Sequence, residues 1–399
     1  SLEVLEFLPT GSKRDKQELS LQLALAPIYR VTKGWAALEL ERVLDRALAL
    51  CDTVGDDTQR VQALYGLQSL YVVQAKLERA HIISNGLQAL YHRSPGTVLP
   101  PFASMMLAGA RLHQGRITDA NAQFAEAIAA YDPDQLLHLQ ESQGVNYAAL
   151  AQAWQAHALW CLGYPQQAQE RGLDAVKLVQ DLDQPFNQAL ASTYLAMLQQ
   201  LRAEEGVARK HAEEALALTS MVQAPYYHAW AAILVSYALA LERPDEERIG
   251  LLRGSIAAFR ATGARLRLPY YLSLLAHVCE KVGRAEEGLA TIDEALSEAR
   301  THNERWWDAE LYRLRGEFLR VARADTSDVE AEILCAISIA RSQQARSLEL
   351  RASMSLARLR IAQNRPDDVR QQLSDLYAWF TEGFETPDLQ AARLLLARL

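Results

Sequence analysis

Charged and apolar residues are sorted into alternating blocks along this chain. Residues 142–162, 184–201 and 222–241 contain no Asp, Glu, Lys or Arg. Between them lie charged blocks such as "EEGVARKHAEEAL" (204–216) and "RPDEERIGLLRG" (243–254), whose apolar residues recur every three to four positions. That spacing marks one buried stripe on a helix. An uncharged block of similar length marks a helix buried on several faces. No run of alternating polar and apolar residues bounded by turn residues suggests a strand. The pattern therefore predicts pairs of antiparallel helices, an uncharged A helix followed by a charged B helix. The longest uncharged runs, 142–169 and 215–241, are interrupted by Asn146, Gln152, Gln155 and His157, and by Pro225 and His228. Neither is a clean apolar span of about 20 residues, so both are expected to be buried helices rather than membrane spans.

The blocks repeat. "LAGARLHQGRITDANAQFAEAIAAY" from Leu107, "QAHALWCLGYPQQAQERGLDAVKL" from Gln155 and "LAHVCEKVGRAEEGLATIDEALSEA" from Leu275 share one frame. A small residue is followed by Gly seven positions later, then by small or bulky residues at offsets twelve, sixteen and nineteen. These are Ala108, Gly115, Ala120, Phe124 and Ala127; Ala156, Gly163, Ala168, Gly172 and Ala175; and Ala276, Gly283, Gly288, Ile292 and Ala295. The glycine predicts a left-handed end to helix A. The later positions, spaced i, i+4 and i+7, give helix B one face against helix A. Gly163 and Gly283 stand three steps of forty residues apart, longer than the roughly 34-residue tetratricopeptide unit that this spacing resembles. Weaker copies start at Leu195, Gly250 and Leu356.

The expected fold is all-α, an α-solenoid of about nine tetratricopeptide-like helical hairpins. A short capping helix, begun by Pro387, should close it near Asp388–Leu399. One array over 1–399 is expected, with weaker repeats in 1–97, the clearest in 98–322, and a last repeat and cap in 323–399. Each hairpin needs only its neighbours, so such length requires no separate globular domains.

The stretch "NERWWDAELYRLRGEFL" (303–319) reads as one of the A helices. Trp307, Leu311, Leu314 and Phe318 would form one apolar face, and Tyr312, Gly316 and Leu319 another. Trp306 would then fall toward the rim, near Glu310, Arg313 and Glu317.

The net charge of −8 argues against nucleic acid as the main partner, since phosphate binding needs a basic footprint. The arginine-rich run 341–360 is read as a solvated helix face. Cys51, Cys161, Cys279 and Cys335 are far apart, without metal-ligand or disulfide-framework spacing. A reducing cytoplasm fits this, as does a start at Ser1 without a signal sequence. The missing initiator Met fits an excised fragment or removal of the Met itself. No phosphate-binding Gly-rich loop, zinc-protease His pair or nucleophile-elbow pattern occurs. "TGSK" (10–13) lacks the spacing of a phosphate loop. "CDTVGDD" (51–57) lacks the ligand order of a calcium loop and reads as a capped turn. No cofactor, no metal and no catalytic residue is expected.

The chain resembles the C-terminal tetratricopeptide tail of bacterial AAA/STAND-type signalling ATPases, including those that carry an adenylate cyclase domain. The likeness rests on "LQLALAPIYRVTKGWAALELERVLDRALALC", "ALWCLGYPQQA", "FRATGARLRLPYYLSLLAHVCEKVGRAEEGLA", "NERWWDAELYRLRGEFL" and "WFTEGFETPDLQAARLLL". It implies a regulatory or sensing module acting on upstream ATPase or cyclase domains, whose own chemistry is absent from this chain.

In this repeat class the A helices line the concave side. The inward positions are then His157 and Trp160, Thr193 and Met197, Trp230 and Tyr237, Tyr270 and His277, with Trp306, Glu310, Arg313, Glu317, Arg351 and Arg358 at a more charged end. Such a groove suits a protein partner, among them the chain's own upstream domains, or a small ligand. Superhelical curvature that buries these residues against one another is the other outcome.

Overall fold

The computed structural model describes residues 9–93, 100–132 and 144–399, and these form nineteen α-helices with no strand among them. They pair into nine antiparallel hairpins. These are α1 (Ser12–Thr32) with α2 (Leu38–Cys51), α3 (Asp57–Val73) with α4 (Leu77–Arg93), and α5 (Pro100–His113) with α6 (Ile117–Ala129). Then come α7 (Tyr147–Leu162) with α8 (Pro165–Gln180), α9 (Pro185–Leu201) with α10 (Glu205–Met221), and α11 (Pro225–Glu242) with α12 (Glu246–Ala261). The last three are α13 (Leu268–Lys281) with α14 (Ala285–His302), α15 (Asp308–Val321) with α16 (Thr326–Ser342), and α17 (Arg346–Ala362) with α18 (Asp367–Trp379). A final helix, α19 (Pro387–Leu396), caps the array, with its proline in the first turn. The first two residues of the uncharged stretch 142–162 lie outside the described residues.

The division between A and B helices follows the charge blocks. Helix α7 buries every residue except Gln152, whereas α8 buries only Pro165, Ala168, Gly172, Ala175 and Val179. The small residues sit at the crossings, as their spacing requires. A methyl group on Gly172 would stand 2.9 Å from Leu198 and 3.8 Å from the Ala156 side chain, and one on Gly316 would stand 2.9 Å from Ile333. Gly163 ends α7 with φ 95°; its N–H donates to Trp160 O and that of Tyr164 to Leu159 O. The same left-handed turn recurs at Ala75, Gly115, Ala203, Gly283, Arg323 and Asn364, near the forty-residue period or twice it except across the longer step from Gly115 to Gly163; α11 ends at Arg243 without it, at φ −143°. The turn at 51–57 is capped as expected: the Asp56 carboxylate accepts the Gln59 N–H while the Gln59 side chain accepts the Asp56 N–H.

The winding is tight, and the second, third and fourth hairpins each meet the one five places later. The α3–α4 turn presents Val73 O, which accepts N–H bonds from Arg265 at 2.9 Å and Leu266 at 3.1 Å, just before α13. One hairpin on, His113 O accepts Arg305 N–H at 2.8 Å and Trp306 N–H at 3.3 Å, just before α15. One hairpin further, Trp160 O accepts the Ser347 hydroxyl at 2.6 Å, and α17 packs on α7. Glu382, beyond α18, accepts the N–H groups of Gln166 and Gln167 and so caps the start of α8. The superhelix therefore closes on itself and has a packed axis instead of an open channel.

Two expectations need correction. Trp306 and Trp307 do not lie on a helix: α15 begins at Asp308, and both tryptophans belong to the turn before it. The helical-face geometry used to place them does not apply there, and Trp306 is buried rather than at the rim. The arginine-rich run is not a solvated face, since α17 is mostly buried and Arg341, Arg346, Arg351 and Arg360 are each paired with a carboxylate. Only Arg358 of that set points to solvent without such a pair among the described residues.

Gly163 and Gly283 occupy the same turn, but only Gly163 is covered by the next winding. A Cβ at 163 would stand 2.7 Å from the Trp379 ring and 2.8 Å from the Arg346 Cβ; at 283 it would meet nothing. Gly283→Ala should cost about 1 kcal/mol for the left-handed backbone alone. Gly163→Ala should cost roughly 2–4 kcal/mol, since backbone strain and overpacking add. Denaturant unfolding of the two variants checks this.

Candidate functional site

The inward rows divide into a sealed part and an open part. His157, Trp160, Thr193, Met197, Trp230, Tyr270 and Trp306 are buried. They pack into one continuous aromatic body along the superhelix axis. Trp154 donates its indole N–H to the Tyr194 hydroxyl at 2.7 Å, and the Tyr194 ring stands edge-on to Trp230 at 4.7 Å. Tyr270 meets Trp307 at 5.3 Å, Trp307 meets Trp306 at 4.9 Å, and Trp160 closes on Trp307 at 6.2 Å from four hairpins away. Thr193 is satisfied within its own helix by Ala189 O, and His157 Nε2 donates to Tyr194 O at 3.0 Å. Burial drives the His157 pKa down to about 3, so the ring is neutral.

Two charged residues absent from the sequence-derived rows organise this core. Arg267, in the loop before α13, is fully buried with its guanidinium 4.5 Å from the Trp230 ring centre and 5.1 Å from that of Tyr194. Glu304, in the loop before Trp306, is also buried. It accepts the Arg267 backbone N–H at 2.9 Å and the Trp306 indole N–H at 2.8 Å. Burial raises its pKa to about 7, against the pull of these donors and of the Arg267 charge.

The open part is a cavity of about 420 Å3 at the C-terminal end of the coil. Tyr237, His277, Glu310, Arg313 and Arg351 line it, joined by the α9–α10 turn, Trp307, Met354 and Arg358, and by Asp388 and Ala391 of α19. It lies where the sixth and seventh hairpins have no hairpin five places later to cover them. Four of its charged groups are fixed in pairs. Glu310 and Arg313 stand one helical turn apart on α15 and form a two-pronged pair at 2.7 and 2.8 Å. Arg351 donates to Asp388 at 2.8 Å and to Leu201 O at 2.7 Å, and lies 4.9 Å from the Trp160 ring centre. The Tyr237 hydroxyl and His277 Nδ1 are 2.8 Å apart. Burial, reinforced by Lys281 and Arg313, lowers the His277 pKa to about 4. Burial works against the Glu310 carboxylate, but Arg313 outweighs it and holds the pKa below the ordinary range. Ser273, the hydroxyl at the floor, donates to Tyr270 O and accepts the Trp307 indole N–H. The arrangement is built to recognise charge and shape. Among the described residues there is no cluster of three or more metal-ligating side chains, and no helix is long and apolar enough to cross a membrane.

No family model matches the chain. The uncharacterized protein R02095 of Rhizobium meliloti (strain 1021) is 32% identical over 124 residues, 29% of this chain. The match spans 12% of that relative's length. A Rap protein solved in complex with competence and sporulation factor has a TM-score of 0.62 at 13% identity, over 97% of this chain and 99% of its own. The Rap conjugation gene regulator of plasmid pLS20, solved with the Phr* peptide, has a TM-score of 0.54 at 8% identity, over 95% of each chain. The quorum sensor NprR of B. thuringiensis, in its apo form, has a TM-score of 0.50 at 14% identity, covering 90% of this chain and 97% of its own. These likenesses establish the fold as a tetratricopeptide-like helical solenoid.

Trp230→Ala should destabilise the protein by about 3–5 kcal/mol, as for a buried aromatic truncated inside a core. Denaturant titration reads this directly. The pH dependence has two opposing sources. The buried His157 and His277 refuse protons that the unfolded chain takes up below about 6.5, so stability falls on acidification. Glu304 holds a proton between about 4.5 and 7 that the unfolded chain has lost, so its contribution falls as pH rises. Glu304→Gln removes the second term and should steepen the loss of stability between pH 6.5 and 5 by up to about 1.4 kcal/mol per pH unit. Thermal unfolding across that range gives the slope.

Proposed function

We propose that this chain is a non-catalytic regulatory module whose cavity at the open end of the superhelix holds a compact ligand or a short partner segment. The observation that carries the reading is the division of the inner face. The sealed rows occupy one another, while Tyr237, His277, Glu310, Arg313 and Arg351 wall a cavity of about 420 Å3. That volume lies within the usual range for ligand sites, about 300–1,000 Å3, and is too small for a folded domain. The groove expected from the sequence thus contracts to its charged end.

A route from binding to output is built into the wall. The capping helix α19 is tied to the coil through Asp388 and Arg351, which also line the cavity. A ligand that contacts this pair favours one seat of α19 over another, and differential affinity is all a population shift requires. The complexes of a Rap protein with competence and sporulation factor and of the pLS20 regulator with Phr* are helical solenoids of the same kind, which supports a ligand-responsive regulatory role. The sequence resemblance to the tails of signalling ATPases supports an output on upstream ATPase or cyclase domains.

Ala391 faces the cavity from α19. Ala391→Trp should fill it while leaving the sealed core untouched. In a thermal-shift panel of amino acids, short peptides, nucleotides and sugar phosphates, at least one class should raise the wild-type midpoint by several degrees. The filled variant should fold and lose that shift.

A further inference from the structure

Once its internal pairs are set aside, the cavity carries a second, unspent set of charges. Arg313 is matched by Glu310 and Arg351 by Asp388. Four lining groups have no hydrogen-bond or ion-pair partner among the described residues: Glu205, Glu280, Lys281 and Arg358. Glu205 stands at the start of α10, close enough to Tyr237 to be among the charges acting on its hydroxyl, and Glu280 lies on α13. Arg358 projects from the far side, on α17, where its electrostatic neighbours are Glu317, Arg313 and Asp388. The cavity therefore has one lip formed by α10 and α13, with two carboxylates and the Lys281 ammonium that acts on His277, and a basic lip formed by α17. Between them lie the apolar faces of Leu274, Leu314 and Met354.

Resting on the reading of this cavity as the ligand site, we infer that its ligand is a small zwitterion, a free amino acid or a di- or tripeptide, with its ammonium toward Glu205 and Glu280 and its carboxylate toward Arg358. A purely anionic ligand would leave two carboxylates facing it, and a purely cationic one would leave the guanidinium. A dipolar ligand with an apolar body satisfies both lips and the wall between them. The fixed pairs add to this: Glu310, Arg313, Arg351 and Asp388 are mutually neutral and present no net field that would favour one sign. Arg358 offers a planar fork that suits a carboxylate, and it is free to turn because nothing in the described structure holds it.

Calorimetric titration of the whole chain tests the inference with L-leucine and L-alanyl-L-leucine as probes, each also in N-acetylated and C-amidated form. At least one free zwitterion should bind, and blocking either end should weaken it tenfold or more. L-leucine against the dipeptide separates the two sources. In Arg358→Gln the free and C-amidated forms should bind alike, and in Glu205→Gln with Glu280→Gln the free and N-acetylated forms should bind alike. All three residues lie at the lip, outside the core, so folding should be kept. If blocked probes bind as tightly as free ones, or if a nucleotide or sugar phosphate binds with sensitivity to Ala391→Trp while no zwitterion does, the zwitterion inference fails and the cavity keeps its role. If no probe of any class binds, both readings fail.

Discussion

The C-terminal carbonyls of the A helices are the points on which this molecule turns. A helix leaves its last carbonyls without intrahelical partners, and burial makes an unpaired one costly. Here Val73, His113, Trp160 and Leu201 lie at or near the ends of successive A helices, and each has its carbonyl satisfied by a group from a later winding. Backbone N–H groups serve the first two, a hydroxyl the third and a guanidinium the fourth. The substitution of a side chain for the backbone marks where the coil is running out of hairpins. By the sixth and seventh hairpins no winding remains to supply a donor, and the cavity begins there.

The aromatic axis follows from the same closure. Windings that bond at their turns bring aromatic rings from two levels within reach of one another, so Trp160 meets Trp307 and Trp35 meets Tyr227. Large rings fill such a space with few rotatable bonds. The buried Arg267 and Glu304 sit at the join between levels. Each has polar or aromatic partners on both sides, which is how a core tolerates charge.

Much of the fold was legible because tetratricopeptide-like repeats encode local geometry. Gly163, Ala156 and Ala168 announce a turn and a crossing that involve only adjacent residues, and the uncharged A blocks announce burial on several faces. Pro387 announced the cap. The same local reasoning misplaced Trp306, because the chain leaves α14 and enters α15 through a turn, and a helical wheel has no meaning there. Arg267 and Glu304 carried no signal at all. Their partners stand in other hairpins, and an isolated arginine or glutamate in a loop looks like any solvated charge. Of the candidate groove, the charged end, with Glu310, Arg313 and Arg351, opens to a cavity, while its tryptophans are enclosed. The sequence shows which residues point inward, and the pitch of the coil decides whether space is left in front of them.

The capping of α8 by Glu382 has a mechanical meaning. In an open solenoid each repeat holds only its neighbours, so tension on the two ends peels hairpins away singly, each at its own small load. In this coil a carboxylate beyond the ninth hairpin grips the start of a B helix in the fourth. Stretching must release that grip, and the Ser347 bond beside it, before the intervening hairpins bear any load. The chain therefore resists extension as a latched spring does, stiff to a threshold and then yielding over many hairpins together.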